Sequence, residues 1–185
     1  MIIKLLSYNI RFGGRAREAH LTAVIRQVDP DLVVFQEAID PRVIGQLAKA
    51  TGLTRWAAQP AHSIGYISRL DIAHHEWHYS VGAKHSFLEI IPAGTETRIF
   101  GLHLSAIFSK WSETQRTREI RALLKGIATY QMGMHVLVGD FNTLAPGETL
   151  DTRRMPAWIR TLVWLSGRDI QRATIQIMLD ANYSD

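Results

Sequence analysis

The stretch 135–143, "HVLVGDFNT", sets an apolar run, Val136-Leu137-Val138, before Gly139 and then places Asp140 and Asn142 two positions apart. A short apolar run bounded by turn residues reads as a buried strand. The polar pair stands at its exit. If the backbone stays extended through residue 142, the two-residue period turns both side chains to one side. A simple Asx turn is the competing reading. Three other apolar runs end the same way: "IIKLLSYN" in Asn9, "DLVVFQE" in Glu37 and "RIFGLH" in His103. Strand ends beside loops are where open sheets collect ligands. Each residue alone has an ordinary reading: a turn for Asn9, a solvated or helix-terminal carboxylate for Glu37, a hydrogen-bonded structural imidazole for His103. The joint pattern is what points to a site.

The intervening elements follow from periodicity. "AREAHLTAVIRQV" (16–28) places Leu21, Val24, Ile25 and Val28 on one helical face, and Asp29-Pro30 stops it. "PRVIGQLAKATG" (41–52) reads as a helix with proline early and glycine at its close. "SIGYISR", "IAHHEWHYS", "HSFLEIIP" and "RIFGLHLS" are short strand-like runs, and "SETQRTREIRALLKGIATYQ" (112–131) restores the helical period. The order is β-α-β-α, a run of strands, then α-β, which suggests packed sheets with helices outside.

The 185 residues suit one substantial domain. No cysteine is present, which excludes disulfides and thiol-based metal sites or nucleophiles within them. The N-terminus, "MIIKLLSYNIRFGG", lacks a basic region and a small-residue cleavage site, so it reads as a strand rather than a leader. No run approaches the roughly 18 apolar residues of a membrane span. A cytoplasmic location is the expectation, and no oligomer is expected. The net charge of +4 favours an anionic partner, and the segment 151–172 carries five Arg against Asp151 and Asp169. That segment, "DTRRMPAWIRTLVWLSGRDIQR", reads as a basic, Trp-containing helical insert. Its ordinary role is to cover a sheet; its functional role is to meet substrate, with Arg153 and Arg154 on phosphates, or to touch a membrane surface through 155–165. "HHEWH" gives His74, His75 and His78 with Glu76, but in a strand-like run, so a solvated rim is favoured over a zinc helix.

"LLSYNIRFGG", "PDLVVFQEA", "GYISR", "IFGLHLS" and "VLVGDFNT" occur in the order seen in the endonuclease/exonuclease/phosphatase superfamily, the group of deoxyribonuclease I, exonuclease III, sphingomyelinases and inositol polyphosphate 5-phosphatases. The chain resembles that family over roughly residues 1–145 by motif. The resemblance implies an α+β fold, a four-layer α/β/β/α sandwich over a single domain, 1–185. It implies a hydrolase that uses Mg²⁺ (or Mn²⁺) to cleave a phosphate ester, with Glu37 and Asn9 at the metal. His103 would assist at the phosphate or leaving group, Asp140 would orient water or join the metal shell, and Asn142 would donate to a phosphoryl oxygen. Arg69, after "YIS", matches a basic residue that supports substrate binding. DNA or RNA is the leading substrate class. A phospholipid or inositol phosphate is the alternative, and an inactive fragment or binding module the third reading. The family's C-terminal Ser-Asp-His motif is not matched: "LDANYSD" (179–185) follows Asp140 too closely. The expectation is therefore a fold lacking its last strands, with Asp185 outside the site.

Overall fold

The computed structural model describes residues 2–79, 86–105, 110–127, 134–144, 147–148, 156–158, 160–161 and 173–184. The chain divides into two compact units, one of Met1–Tyr79, His85–His103 and Tyr130–Asp140, the other of Ser80–Lys84, Leu104–Thr129 and Phe141–Asp185.

The first unit holds two four-stranded mixed sheets. In one, β1 (Leu5–Asn9) runs parallel to β2 (Leu32–Gln36). Next come β4 (Ile64–Ser68), antiparallel to β2, and the edge strand β3 (Arg55–Ala57). The other orders β5 (Ile72–His78), β6 (Phe87–Pro92), β7 (Arg98–His103) and β8 (His135–Asp140), with β7 and β8 parallel. The short β3 was not legible in the sequence; the other strands were.

Two helices cover the first sheet, α1 (Glu18–Val28) and α2 (Pro41–Thr51). Ala16 has a φ of 59°, so α1 cannot begin at residue 16 as its period suggested. Asp40 caps α2 by accepting the Arg42 N–H at 3.1 Å, Pro41 takes the first turn, and Gly52 closes it at a φ of 79°. Strand alternation then sorts β2. Val33 and Phe35 pack with Leu21, Ile25, Ile44 and Leu47 of the helices. Leu32 and Val34 pack with Ile64, Leu88, Ile90 and Ile99, between the sheets. Both faces of β2 are thus buried, which explains its unbroken apolar run. The sheets approach closely at Gly101, where an added Cβ would stand 2.7 Å from Val34 Cγ1.

The second unit contains α3 (Lys110–Ile127) and α4 (Ala173–Asp180). Ile120, Leu123, Ile127 and Met178 are buried, and so are Glu113, Arg116 and Glu119. Glu113 Oε1 accepts the Thr174 N–H and O–H at 2.9 Å each, tying α3 to the start of α4. The described part of the 151–172 stretch is helical at 157–158 and 160–161, with Trp158 exposed. Within the described residues the fold is α+β, as the family resemblance implied.

Candidate active site

Parallel pairing gathers the polar strand ends. β1 and β2 run side by side with Asn9 opposite Gln36, and Glu37 follows directly. β7 and β8 run side by side with His103 opposite Asp140. Leu5 of β1, Ile99 of β7, and Val136 and Val138 of β8 pack on the face between the sheets. The two-residue period carries Asn9, His103 and Asp140 onto that same face. All three, and Glu37, are half-buried.

The Asn9 carboxamide links the two sheets. Its Nδ2 donates to Asp140 Oδ2 at 2.9 Å, and its Oδ1 accepts the Arg11 N–H at 2.9 Å. Glu37 anchors the same loop. Its Oε2 accepts the Phe12 N–H at 2.7 Å, and its carbonyl accepts the Gly13 N–H at 3.0 Å. Arg11, Phe12 and Glu37 all have left-handed backbone, with φ of 48°, 49° and 58°. Such strain in residues with side chains concentrates at functional sites.

Gly139 is required where it stands. Its φ is 147°, and a Cβ there would lie 1.9 Å from the Leu102 carbonyl oxygen, inside the β7–β8 ladder. The glycine lets β8 press against β7 one residue before Asp140.

Asn142 departs from the extended path. Its φ of 49° ends the two-residue alternation after Asp140, so the same-side expectation does not apply. It belongs to the second unit, where its Nδ2 donates to the Leu104 carbonyl at 2.8 Å. The next residue along, Ser105, is held by Glu119, with Oγ–Oε1 at 3.0 Å and N–Oε2 at 3.3 Å. The Arg116 Nη1 donates to the Ser105 carbonyl at 2.8 Å. Helical periodicity gave no sign of these buried charges, because they occupy a face that the pattern assigns to apolar side chains.

Arg69 does not join the group. β4 is antiparallel to β2, so the residue after β4 emerges at the start of β2, the end opposite Glu37. There it donates from its backbone to the Asp31 carbonyl and pairs through its side chain with Asp29 and Asp31. Arg153 and Arg154 lie outside the described residues. The "HHEWH" histidines lie on β5, where His74 and His75 are exposed and His78 Nε2 meets the buried Glu89 at 2.7 Å. Among the described residues, no group of three or more His, Asp or Glu stands together as a metal cage.

The chain belongs to the Endonuclease/Exonuclease/phosphatase family, whose model matches residues 6–162. Among solved structures it is similar to D. rerio TDP2 complexed with single strand DNA product, with 19% identity, 84% of this chain, 66% of that chain and a TM-score of 0.63. It is also similar to the 3' phosphatase NExo from Neisseria bound to product DNA hairpin, with 14% identity, 88% and 69% coverage and a TM-score of 0.61. A third is an AP endonuclease from Archaeoglobus fulgidus, with 13% identity, 79% and 60% coverage and a TM-score of 0.59. At these identities the likeness is one of fold, the deoxyribonuclease I-like α+β fold. The chain spans less than two thirds of the length of the TDP2 chains it matches, 63% and 66%. No curated protein matches it. No helix among the described residues is long and apolar enough to cross a membrane.

Proposed function

We propose that this protein hydrolyses phosphodiester bonds in nucleic acid with the help of a divalent cation. The observation that carries the reading is the Asn9–Asp140 hydrogen bond at the strand ends where Glu37 and His103 also emerge. The donor set fits Mg²⁺ or Mn²⁺: Glu37 and Asn9 offer hard oxygens, and Mg²⁺ is commonly held by one or two carboxylates while keeping its waters. When bound, the cation supplies positive charge where charge develops on the phosphoryl oxygens.

The chain's own residues do the rest. The Asn9 amide fixes the Asp140 carboxylate without adding negative charge beside the phosphate. Asp140 Oδ1 accepts a proton from the attacking water and aims it in line. His103, opposite Asp140 in the ladder, gives a proton to the leaving oxygen as the P–O bond breaks. The G-D-F-N motif assigns Asn142 donation of an N–H to a phosphoryl oxygen. Arg153 and Arg154 contact flanking phosphates. Nucleic acid is favoured over other phosphate esters because the similar D. rerio and Neisseria structures hold DNA products. The phospholipid alternative draws on Trp158, which is 65% exposed in the basic insert.

Plasmid DNA, RNA, sphingomyelin and inositol phosphates, each with Mg²⁺ and with chelator, test the reading. DNA or RNA cleavage that disappears with chelator, and in Glu37→Ala and Asp140→Ala, is expected. Cleavage untouched by both substitutions would overturn it.

A further inference from the structure

Phe12 is 79% exposed, yet its backbone is among the most constrained on the rim of the site. Its left-handed φ is disfavoured for a residue with a bulky side chain. Two hydrogen bonds enforce it: Phe12 N–H to Glu37 Oε2 at 2.7 Å and Arg11 N–H to Asn9 Oδ1 at 2.9 Å. The Arg17 guanidinium adds bonds to the Ile10 and Arg11 carbonyls. The loop therefore mounts an aromatic ring beside the candidate metal ligands and holds it out of the core. Burial does not explain the ring, because it gains almost none. Ile39, 44% exposed, lies beside the same loop, 3.3 Å from where a Gly13 Cβ would stand.

The arginines of this region are not equivalent. Arg15 and Arg42 are both committed to Asp40, at 2.8 and 3.1 Å. Arg11 is exposed and makes no ion pair among the described residues. The loop thus presents one flat aromatic face and one uncommitted guanidinium on adjacent residues. A π-face for a base next to a cation for a phosphate is the unit that single-stranded nucleic-acid binders repeat. A bilayer surface selects a broader set of apolar groups.

We propose that Phe12 and Arg11 form a subsite for one nucleotide of a single strand flanking the scissile phosphate. The ring stacks on the base and the guanidinium neutralises the neighbouring phosphate. This rests on the reading of the site as one for nucleic-acid phosphodiesters, and names the strand form it takes.

The test is equilibrium binding of labelled oligo-dT, and of an oligonucleotide of the same length built from abasic units, to the purified protein in chelator. Phe12→Ala, at a largely exposed ring, should weaken oligo-dT binding by about five- to a hundredfold. It should leave the weaker abasic binding unchanged. Phe12→Trp should bind oligo-dT at least as tightly as the parent. Arg11→Ala should weaken both ligands alike and reduce the salt dependence by about one counterion. Oligo-dT bound equally by Phe12→Ala and parent would overturn the proposal. So would an equal loss for both ligands, or a parent that binds no oligo-dT. Loss in Phe12→Ala of binding to phosphatidylserine-containing vesicles, with oligo-dT affinity intact, would assign the loop to lipid instead. Hydrolysis in Mg²⁺ is scored separately. Base-dependent binding without hydrolysis would retain the subsite and remove the catalytic reading; hydrolysis without base dependence would do the reverse.

Discussion

The Asn9 amide donates to Asp140 Oδ2 at 2.9 Å, joining residues 131 positions apart and the exits of two strands in different sheets. A neutral donor orients a carboxylate without repelling an incoming phosphate. Removing it in Asn9→Ala deletes a hydrogen bond to a charged group, worth about 1.5–3 kcal/mol, and should lower kcat about ten- to a hundredfold. Asn9→Asp is the sharper variant. It sets two carboxylates against each other, so one holds its proton to higher pH. The acid limb of the kcat/KM profile should move upward relative to the parent. An Asn9→Asp profile that overlays the parent's would separate Asn9 from Asp140 function.

Gly139 predicts a steric failure one residue away. With the Leu102 carbonyl oxygen 1.9 Å from any added Cβ, Gly139→Ala must push β8 off β7 or break the ladder. The thermal midpoint should fall by several degrees or more, and hydrolysis should fall with it, since Asp140 is displaced. Gly126 in α3 is the control, because a Cβ there meets nothing within 4 Å. Gly126→Ala should stabilise by about 0.5–1 kcal/mol in denaturant unfolding. A tolerated Gly139→Ala would mean that the strands accept a wider spacing than the structure shows.

The elements that the sequence revealed share one property: their apolar period is set by burial on known faces. β2 is apolar throughout because helices cover one face and a sheet the other, and α1 and α2 show a clean stripe. The polar strand ends were legible because each interrupts such a run. Arg69 was misplaced because local sequence carries no strand direction; only the antiparallel pairing of β4 with β2 sends it to the far end. The Phe12 loop was hidden because its conformation is imposed by Glu37, 25 positions away. Glu113 and Arg116 were hidden because a buried ion pair and a solvated one have the same letters.

Glu37 has two duties that different substitutions separate. Its carboxylate is the candidate cation ligand, and its Oε2 accepts the Phe12 N–H. Glu37→Gln keeps an acceptor for that N–H but loses the negative charge; Glu37→Ala loses both. Mg²⁺ at about a hundred times its Kd should add about 2.7 kcal/mol to the parent's stability, seen as a rise in Tm, and chelator should reverse it. Neither variant should show the full rise. Glu37→Ala alone should also loosen the 11–14 loop, read as faster amide exchange at Phe12. A full Mg²⁺ shift in Glu37→Ala would place the cation elsewhere.

Glu113 and Arg116 form a buried ion pair, with side chains 2% and 3% exposed and Nη2–Oε2 at 2.8 Å. Each also holds backbone: Glu113 the Thr174 N–H, Arg116 the Ser105 carbonyl. Arg116→Ala takes from the buried Glu113 its guanidinium partner and should destabilise by about 3–5 kcal/mol, and Glu113→Ala, which also frees the Thr174 N–H, should be destabilising as well. Glu113→Gln retains an acceptor for Thr174 and should lose less than Glu113→Ala. Denaturant unfolding checks the order. Losses below about 1 kcal/mol for both alanine variants would show that water reaches the pair.

Asp40 sets an acid limit on the first unit. Hydrogen bonds from the Arg42 side chain, chiefly, and from Arg15 and the Arg42 N–H hold its carboxyl well below the usual carboxylate range, against a smaller opposing push from burial. A depressed folded pKa means that the unfolded chain takes up the proton first. The stabilisation is therefore complete above the ordinary carboxylate value, about 3.9, and drains away as pH falls below it toward the folded value. The parent's Tm should drop as pH is lowered from about 4 to about 2. Asp40→Asn keeps the α2 cap but cannot titrate, so it should be less stable than the parent at neutral pH and lose less on acidification. Parallel Tm curves for the two proteins across that range would assign the acid sensitivity to other carboxylates.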